Sequence, residues 1–496
     1  MKVRIAVLST VLALLAPMFV LATEDIAVTA TTSTWQPQVV IANQANHMYD
    51  EKLSARFHPS GKLYVAGMDY DMNTSRYSLG LWCYDGSQST LVKTVSETNL
   101  QVFEPDMAIG EDGWIHLVWV EAANGNADLW YFKYRYFNGN TWSQIFTLKT
   151  ATLLGSTGGF NPEKIDDLDL DVDQNHNVYV AYMIWPAGRC QFLSWYSGSG
   201  KTYDDPYPLA GRSKHPAVLV DGSYVHLTWQ QLVGSTYLIG YARRDVGEAN
   251  VGKWTINKTL PNMQHRPRFA MTTGGEIELA SMTDVPPDEV VRNITHKFSA
   301  NKGVSFSGNW VATEGLPAKY QNVDIAAGTD SYIITSQLFL GPVSNSYYNM
   351  FRNGSWTGLQ QFNTGKVYGD FGCVAMSKKN VAAFVYNNRD TAIFALLSDK
   401  LAVNEPPTAV ITPSATEVFW GDSLTFSAAG STDPDGAITL YEWDFGDGST
   451  TPTVEGADKV TVTHTFDGNW GDVTVKMWTY DGSMYSPQAS QPIKVK

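Results

Sequence analysis

Pro105-Asp106-Met107-Ala108-Ile109, Gly110-Glu111-Asp112-Gly113, Trp114-Ile115-His116-Leu117-Val118-Trp119 reads as a short apolar strand, a tight polar turn and a second apolar strand. The turn holds the Gly and Asp that positive φ demands, so the stretch is a β-hairpin. The design returns at Pro216-Ala217-Val218-Leu219-Val220, Asp221-Gly222-Ser223, Tyr224-Val225-His226-Leu227-Thr228-Trp229. Looser copies run from His58-Pro59-Ser60-Gly61 into Leu63-Tyr64-Val65-Ala66 and from Leu168 to Val172 into Val178 to Tyr182. Others lead from Arg268 into Ile277 to Ala280, from Val323 into Tyr332 to Ile334, and from Cys373 into Val381 to Tyr386.

The copies start about 45–60 residues apart, the length of one four-stranded propeller blade. About seven such units fit the chain. Third and fourth strands recur as well. Leu129 to Tyr134 leads to Asn138-Gly139-Asn140-Thr141-Trp142, with echoes at Gly252-Lys253-Trp254, Gly308-Asn309-Trp310 and Gly354-Ser355-Trp356. This element is expected to set one indole at the start of each outer strand, packed on the next blade. Ser33-Thr34-Trp35-Gln36-Pro37 is such an outer element without its inner three strands, and the last unit lacks one. The N-terminal strand would then complete the final blade and remove both exposed edges.

The expected fold class is all-β: a seven-bladed β-propeller and a C-terminal immunoglobulin-like β-sandwich. The expected division is a signal peptide at 1–22, the propeller at 23–400, a linker at 401–407 and the sandwich at 408–496. Lys2 and Arg4, the apolar run Ile5 to Leu21 and the small-residue site Val20-Leu21-Ala22 carry the signal-peptide reading, and with it a secreted, extracellular location. Pro406-Pro407 stiffens the linker and cannot continue a ladder.

The propeller copies resemble the BNR, sialidase-like repeats. Tyr196-Ser197-Gly198-Ser199-Gly200-Lys201-Thr202-Tyr203 is similar to an Asp-box that keeps the Gly, Thr and aromatic but has Gly198 in place of the Asp. This resemblance covers about residues 24–400. It implies a ring of the kind used by sialidases, ulvan-lyase-type polysaccharide lyases and lectins, and by itself no activity. Sialidase roles are not carried over, because no secure trio of arginines is spread over the ring.

The C-terminal segment is more specific. Ser431-Thr432-Asp433-Pro434-Asp435-Gly436, then Tyr441-Glu442-Trp443-Asp444-Phe445-Gly446-Asp447-Gly448, resembles the signature of the PKD domain, and His464-Thr465-Phe466 matches its following strand. Trp443 and Phe445 are expected inside the sandwich, with Asp444 and Asp447 holding the Gly-rich turn. The resemblance implies a spacer or adhesion module without catalysis.

Composition narrows the partners. The net charge of -14 disfavours nucleic acid and anionic membrane, and past the signal peptide no stretch has the length of a membrane span. Abundant aromatics, 16 Trp, 25 Tyr and 21 Phe, suit sheet packing and also sugar stacking. A polysaccharide or cell-surface glycan is the expected partner. Three cysteines, Cys83, Cys190 and Cys373, leave at least one thiol unpaired; a Cys83–Cys373 bridge and three buried thiols are both open. Cys-x-x-Cys, P-loop, dinucleotide, Gly-x-Ser-x-Gly and His-Glu-x-x-His motifs are absent.

In a propeller, loops entering the innermost strands and loops leaving the second strands share one face. The entering loops supply Glu104, Arg212, His215, His265, Arg266 and Arg268; the leaving loops supply Glu121, Gln230 and Arg389. His215-Pro216 and His265-Arg266-Pro267 hold equivalent places in adjacent blades, so their side chains are expected to converge with Arg212. Arg offers a fork to carboxylate or sulfate, and His exchanges a proton near neutrality. With Tyr196 as general acid, these are the parts for β-elimination on a uronate. Arg266, Arg268, Glu104, Glu121, Gln230 and Arg389 are the substrate-binding candidates.

Alternatives stay open. Glycoside hydrolysis would use two carboxyls among Glu104, Glu121, Asp284 and Asp370. A lectin or adhesion propeller would use neither. The charged residues would then simply pair with local carboxylates and hold loops. Asp106, Asp169 and Asp324 share one repeat position near the axis and either ring a Ca²⁺ or cap neighbouring amides. Asp433 and Asp435 face the same choice between Ca²⁺ and an Asx turn. Asp167, Asp169, Asp171 and Asp173 alternate along one strand and need a metal or Arg nearby. His116 and His226, at one repeat position within strands, read as structural.

Overall fold

The structure, a computed structural model, describes residues 35–496 apart from 44–46, 97–100, 124–125, 153–163, 186, 206–211, 286–287, 318–319, 340–343, 353, 363–371, 388–391, 400, 402–405, 435, 450–451 and 483. The expected signal peptide, Arg389, Asp370, Asp435 and most of the expected linker lie outside the described residues.

Seven antiparallel sheets precede residue 400. Blade 1 runs His47–Phe57, Leu63–Asp71, Arg76–Tyr84, Ser89–Thr94, and blade 2 runs Gln101–Ile109, Ile115–Ala123, Asn126–Phe137, Phe146–Thr152. Blades 3 to 6 repeat the pattern, with innermost strands Lys164–Val172, Ser213–Val220, His265–Met271 and Tyr320–Ala327. Each innermost strand touches the next in chain order, and that of blade 7, Cys373–Met376, touches that of blade 1. The ring therefore closes on itself as a seven-bladed β-propeller.

Closure uses the N-terminus, as the incomplete outer element at Trp35 foretells. Blade 7 has Cys373–Met376, Ala382–Asn387 and Ile393–Leu397 from the end of the ring, and its fourth strand is Val39–Ala42 from the beginning. Val39 opposes Ala395 and Val40 opposes Phe394. Ile41 and Ala42 are buried among Leu53, Val65 and Trp82 of blade 1 and Val385, Ile393 and Ala395 of blade 7.

The core lies between blades. Val118, Val120, Phe132 and Tyr134 of blade 2 pack on Leu168, Leu170, Val178 and Tyr182 of blade 3. Burying each such side chain contributes about 1.5–3 kcal/mol. The turn-Trp elements point the other way from the expectation. Trp142 of blade 2 packs against blade 1, beside Leu81 and Val95. Trp254 of blade 4 lies 5.8 Å from Phe192 of blade 3, and Trp356 of blade 6 lies 5.7 Å from His296 of blade 5. These three indoles cover the preceding blade.

Histidines inside second strands serve packing. His116 Nδ1 is 2.8 Å from the Tyr134 hydroxyl in blade 2, and His226 Nδ1 is 2.8 Å from the Tyr241 hydroxyl in blade 4. The cysteines form no disulfide: Cys83 and Cys190 are buried singly, and Cys373 lies on an innermost strand.

The second domain is a sandwich of a three-stranded sheet (Thr412–Pro413, Ser423–Ser427, Thr461–Thr465) and a five-stranded sheet built on Leu440–Asp444, Gly471–Tyr480 and Ala489–Val495. Trp443 and Phe445 are buried with Phe426, Phe466, Val475 and Ile493. Asp444 Oδ1 accepts from Gly446 N at 3.0 Å, and Asp447 Oδ1 accepts from Ser449 N at 3.2 Å, so both carboxylates hold the Gly-rich turn. Among the described residues no helix is long and apolar enough to cross a membrane.

Candidate functional site

The innermost strands share an irregularity that builds the axial mouth. In each of blades 2 to 5 the pairing with the second strand skips two residues, between Phe103/Asp106, Asp166/Asp169, Lys214/Ala217 and His265/Arg268. The first skipped residue is left-handed every time: Glu104 at φ 47°, Asp167 at 49°, His215 at 50° and Arg266 at 47°. None is glycine, so each position carries about 1–3 kcal/mol of backbone strain. Bulges re-aim side chains beside active sites. Proline fills the second slot in three of the four (Pro105, Pro216, Pro267), where the ladder needs no N–H.

Four titratable side chains are thereby set in a row across adjacent blades. A cavity at the mouth is lined by Lys52, Glu104, Asp166, Asp167, Arg266 and Arg268, and Arg56, Asp169 and Arg268 continue it into a channel along the axis. His215, next to the lining residue Asp167, keeps 14% of its side chain open. Its Nδ1 lies 2.6 Å from Asp167 Oδ2. Arg268 Nη2 is 3.8 Å from the other Asp167 oxygen, and Lys52 Nζ is 3.8 Å from Glu104 Oε2 and bonded to the Leu168 carbonyl.

The electrostatics divide these groups. Burial, reinforced by Asp166 and Asp167, pushes the Glu104 carboxyl up to about 7 despite Lys52. Burial also raises Asp167, but His215, Arg268 and Arg266 outweigh it and hold that carboxyl well below the usual range. Burial lowers His215, Arg266 and Arg268 lower it further, and Asp167 offsets this only in part. At neutral pH the imidazole is therefore neutral, with Nδ1–H donated to an ionised Asp167 and Nε2 carrying the basic lone pair. Carboxyls driven apart in pKa within one site are the arrangement that general acid–base chemistry uses.

The axial aspartates are staples. Asp106 Oδ2 accepts from Leu170 N at 2.9 Å, Asp169 Oδ2 from Val218 N at 2.7 Å and Asp324 Oδ2 from Val374 N at 3.0 Å, each on the next blade. Asp106 Oδ1 also accepts from Ser54 Oγ at 2.6 Å. The Ca²⁺ reading of this trio is corrected: their oxygens are directed to amides, and no group of His, Cys, Asp or Glu suited to a metal occurs among the described residues. Asp433 Oδ1 accepts from Gly436 N at 3.1 Å, the Asx-turn alternative. The acidic row is separated in the same way. The bulge turns Asp167 to the mouth and Arg268, while Asp171 staples Val220 N at 2.7 Å and Asp173 binds the Tyr179 hydroxyl at 3.0 Å.

Other expected site residues are placed elsewhere. Tyr196 is corrected as general acid: it is buried at the far end of Arg189–Tyr196, its hydroxyl donating to Gly247 O at 3.1 Å and accepting from Arg244 at 3.2 Å. His265 does not converge with His215. It occupies the register of Lys214, one residue before the left-handed position, and its Nε2 lies 2.8 Å from Asp284 Oδ2 and its ring 5.5 Å from Tyr237. A one-residue offset in a strand reverses the side. Arg212 is exposed beside Leu232, outside the cavity lining. Glu121 is fully buried and accepts from Trp119 Nε1 at 2.8 Å. Gln230 is buried, and its Oε1 accepts the Arg266 amide at 3.3 Å, so it supports the bulge instead of facing a ligand.

Glu104, Arg266, Arg268 and His215 are thus brought together. Asp166, Asp167, Lys52 and Arg56 join them without having been singled out for the site. The signal for Asp167 is positional: it matches the residue before proline in the neighbouring copies, but Leu168 replaces the proline.

A closed ring with a charged axial mouth, followed by an immunoglobulin-like sandwich, defines the architecture. Residues 404–495 match the PKD domain family, and this part of the chain is a PKD domain. A microbial collagenase from Vibrio alginolyticus is 35% identical over 95 residues, which is 19% of this chain; the chain covers 11% of that relative's length. Among solved structures, an α-L-arabinanase from Penicillium chrysogenum complexed with arabinobiose is similar at 11% identity and TM-score 0.43, over 73% of this chain and 98% of the other. A polysaccharide lyase, an ulvan lyase, is similar at 10% identity and TM-score 0.41, over 72% of this chain and 95% of the other.

Proposed function

We propose that this protein is a secreted, carbohydrate-active protein that cleaves an acidic polysaccharide by β-elimination at the axial mouth. The observation that carries the reading is the 2.6 Å contact between His215 and Asp167, set beside Arg266 and Arg268 at a mouth where burial raises Glu104 to about 7. Arg266 and Arg268 would pair with the uronate carboxylate and stabilise the enolate-like intermediate. His215 Nε2 takes the C5 proton, with Asp167 orienting the ring and supporting the imidazolium. The electron pair forms the C4–C5 double bond as the C4–O bond breaks, and Glu104 protonates the leaving oxygen. Export directed by residues 1–22, a propeller over 23–400 and a linker over 401–407 belong to the same proposal.

Incubating the purified chain with a panel of uronate and neutral polysaccharides tests it. Elimination yields ultraviolet absorbance from the unsaturated uronate, and His215→Ala should abolish it. Binding without either absorbance or new reducing ends would leave a lectin. A second reading has its own support: with Glu104 and Asp167 on one cavity and their pKa values driven apart, hydrolysis by an acid and an ionised carboxylate is available. It would release reducing ends without the chromophore.

A further inference from the structure

Four large aromatic side chains of the PKD domain stay in solvent: Phe419 is 67% exposed, Trp420 48%, Trp470 72% and, paired with Tyr480, Tyr485 49%. The same domain buries Phe426, Trp443, Phe445 and Phe466, so the exposed group marks an interaction surface. Trp420 follows the strand Glu417–Val418 and Trp470 precedes Gly471–Tyr480, and their ring centroids are 6.2 Å apart with planes at 23°. The Trp420 indole and the loop that carries Trp470 are held in place. Trp420 Nε1 donates to Gly468 O at 3.2 Å, and Trp420 N donates to Lys496 O at 3.0 Å. A Cβ on Gly468 would lie 2.1 Å from Asp447 O, and Asn469 N donates to that same oxygen at 2.6 Å. The loop presenting Trp470 is thereby pinned to the Asp-Phe-Gly-Asp-Gly turn, whose Asp447 binds His464 Nε2 at 2.9 Å.

We propose that Trp420 and Trp470 form a platform that stacks the apolar faces of sugar rings in a neutral, extended polysaccharide. The paired, solvent-exposed indoles offer aromatic faces for stacking, whereas an amphipathic helix or a proline-rich strand needs a groove. Residues 408–496 carry twelve acidic side chains against four lysines and no arginine, so this end of the chain repels a polyanion. Exposed Asp422, Asp467 and Asp472 stand beside the aromatics in sequence and offer acceptors to sugar hydroxyls. The platform is distinct from the axial mouth and takes an uncharged chain, so it would anchor the protein to one polymer while the mouth meets another.

The test is depletion of the full chain from solution by suspensions of microcrystalline cellulose and of chitin, with gelatin as a protein control. The wild type should be retained on at least one of the two polysaccharides. Trp470→Ala and Trp420→Ala should each weaken retention about tenfold, and the double variant should lose it. Both residues are exposed, so thermal unfolding of the double variant should match wild type, and His215→Ala should bind normally. No retention of the wild type on either polysaccharide, equal retention of the double variant, or a loss confined to gelatin would each overturn the proposal.

Discussion

His215 Nδ1 lies 2.6 Å from Asp167 Oδ2 although the two residues are 48 apart in sequence and belong to neighbouring blades. Each sits at the left-handed position of its own bulge, so two strained backbones are aimed at one hydrogen bond. The pairing is therefore a property of the repeat, made twice and joined across the blade boundary.

Asp167→Asn tests the orienting role. The amide neither requires Nδ1–H nor supports an imidazolium, so turnover on any cleaved glycan should fall about 10²–10⁴-fold while binding persists. Stability should change with a defined sign. The Asp167 carboxyl is depressed in the folded chain, so its contribution is present above the unfolded carboxylate value near 4 and fades as acid protonates it. Unfolding curves of wild type and variant should differ at pH 7 and draw together in acid. A gap that widens in acid would contradict the assignment.

At Glu104 the usual ranking of glycine and alanine should invert. A residue at φ 47° within a strand is strained unless it is glycine. Glu104→Gly should therefore be more stable than Glu104→Ala by about 1 kcal/mol, with both variants inactive. Denaturant unfolding measures the difference. An alanine variant as stable as the glycine one would mean that the bulge relaxes and stores no strain.

The pH profile follows from carboxyls raised by burial: Glu104 to about 7, Asp169 to about 7 and Asp171 to about 6. These groups hold protons in the folded chain that the unfolded chain loses near pH 4. Their contribution to stability therefore falls as pH rises from about 4 to about 7, opposite in sign to that of the buried imidazoles of His116 and His215, whose lowered values favour the folded chain as pH rises. Asp169→Asn keeps an acceptor for the Val218 amide and removes the ionisation, so it should flatten the decline. Activity should also fall above about pH 7, as Glu104 loses the proton it donates. Parallel pH profiles of melting temperature for wild type and Asp169→Asn would rule this out.

Much of the ring is legible in the sequence, because each hairpin carries its own turn chemistry: Gly110 to Gly113 and Asp221 to Ser223 fix two blades outright. The unpaired Trp35 element also foretells the closing strand. The direction of the turn-Trp indoles is not legible, since local sequence does not say whether Trp254 meets the blade before it or after it. The site is half legible. Residue type and the following proline mark His215 and Arg266, but alignment by histidine puts His265 in place of Arg266, and a one-residue offset turns a side chain away from the axis. Lys52 escapes notice, and Asp167 stands out only as part of an acidic row, because their copies lack the proline. A left-handed non-glycine residue leaves no compositional trace; only the register shift reveals it.

Ring closure gives the last prediction. Val39–Ala42 is the outer strand of blade 7, while Ile41 and Ala42 also pack on blade 1. Removing residues 35–42 should expose the edge of Ile393–Leu397 and the apolar seam beneath it. The predicted outcome is a lower melting temperature and a tendency to self-associate through that edge. Ile41→Asp isolates the packing part: a carboxylate in a site 4% exposed and lined by Leu53, Ile393 and Ala395 should cost at least about 3 kcal/mol. Val40→Thr, on the exposed side of the same strand, should be silent within about 0.5 kcal/mol. Calorimetry of the three variants separates lost pairing from lost packing. If Ile41→Asp unfolds like wild type, the two ends of the chain do not meet in one blade.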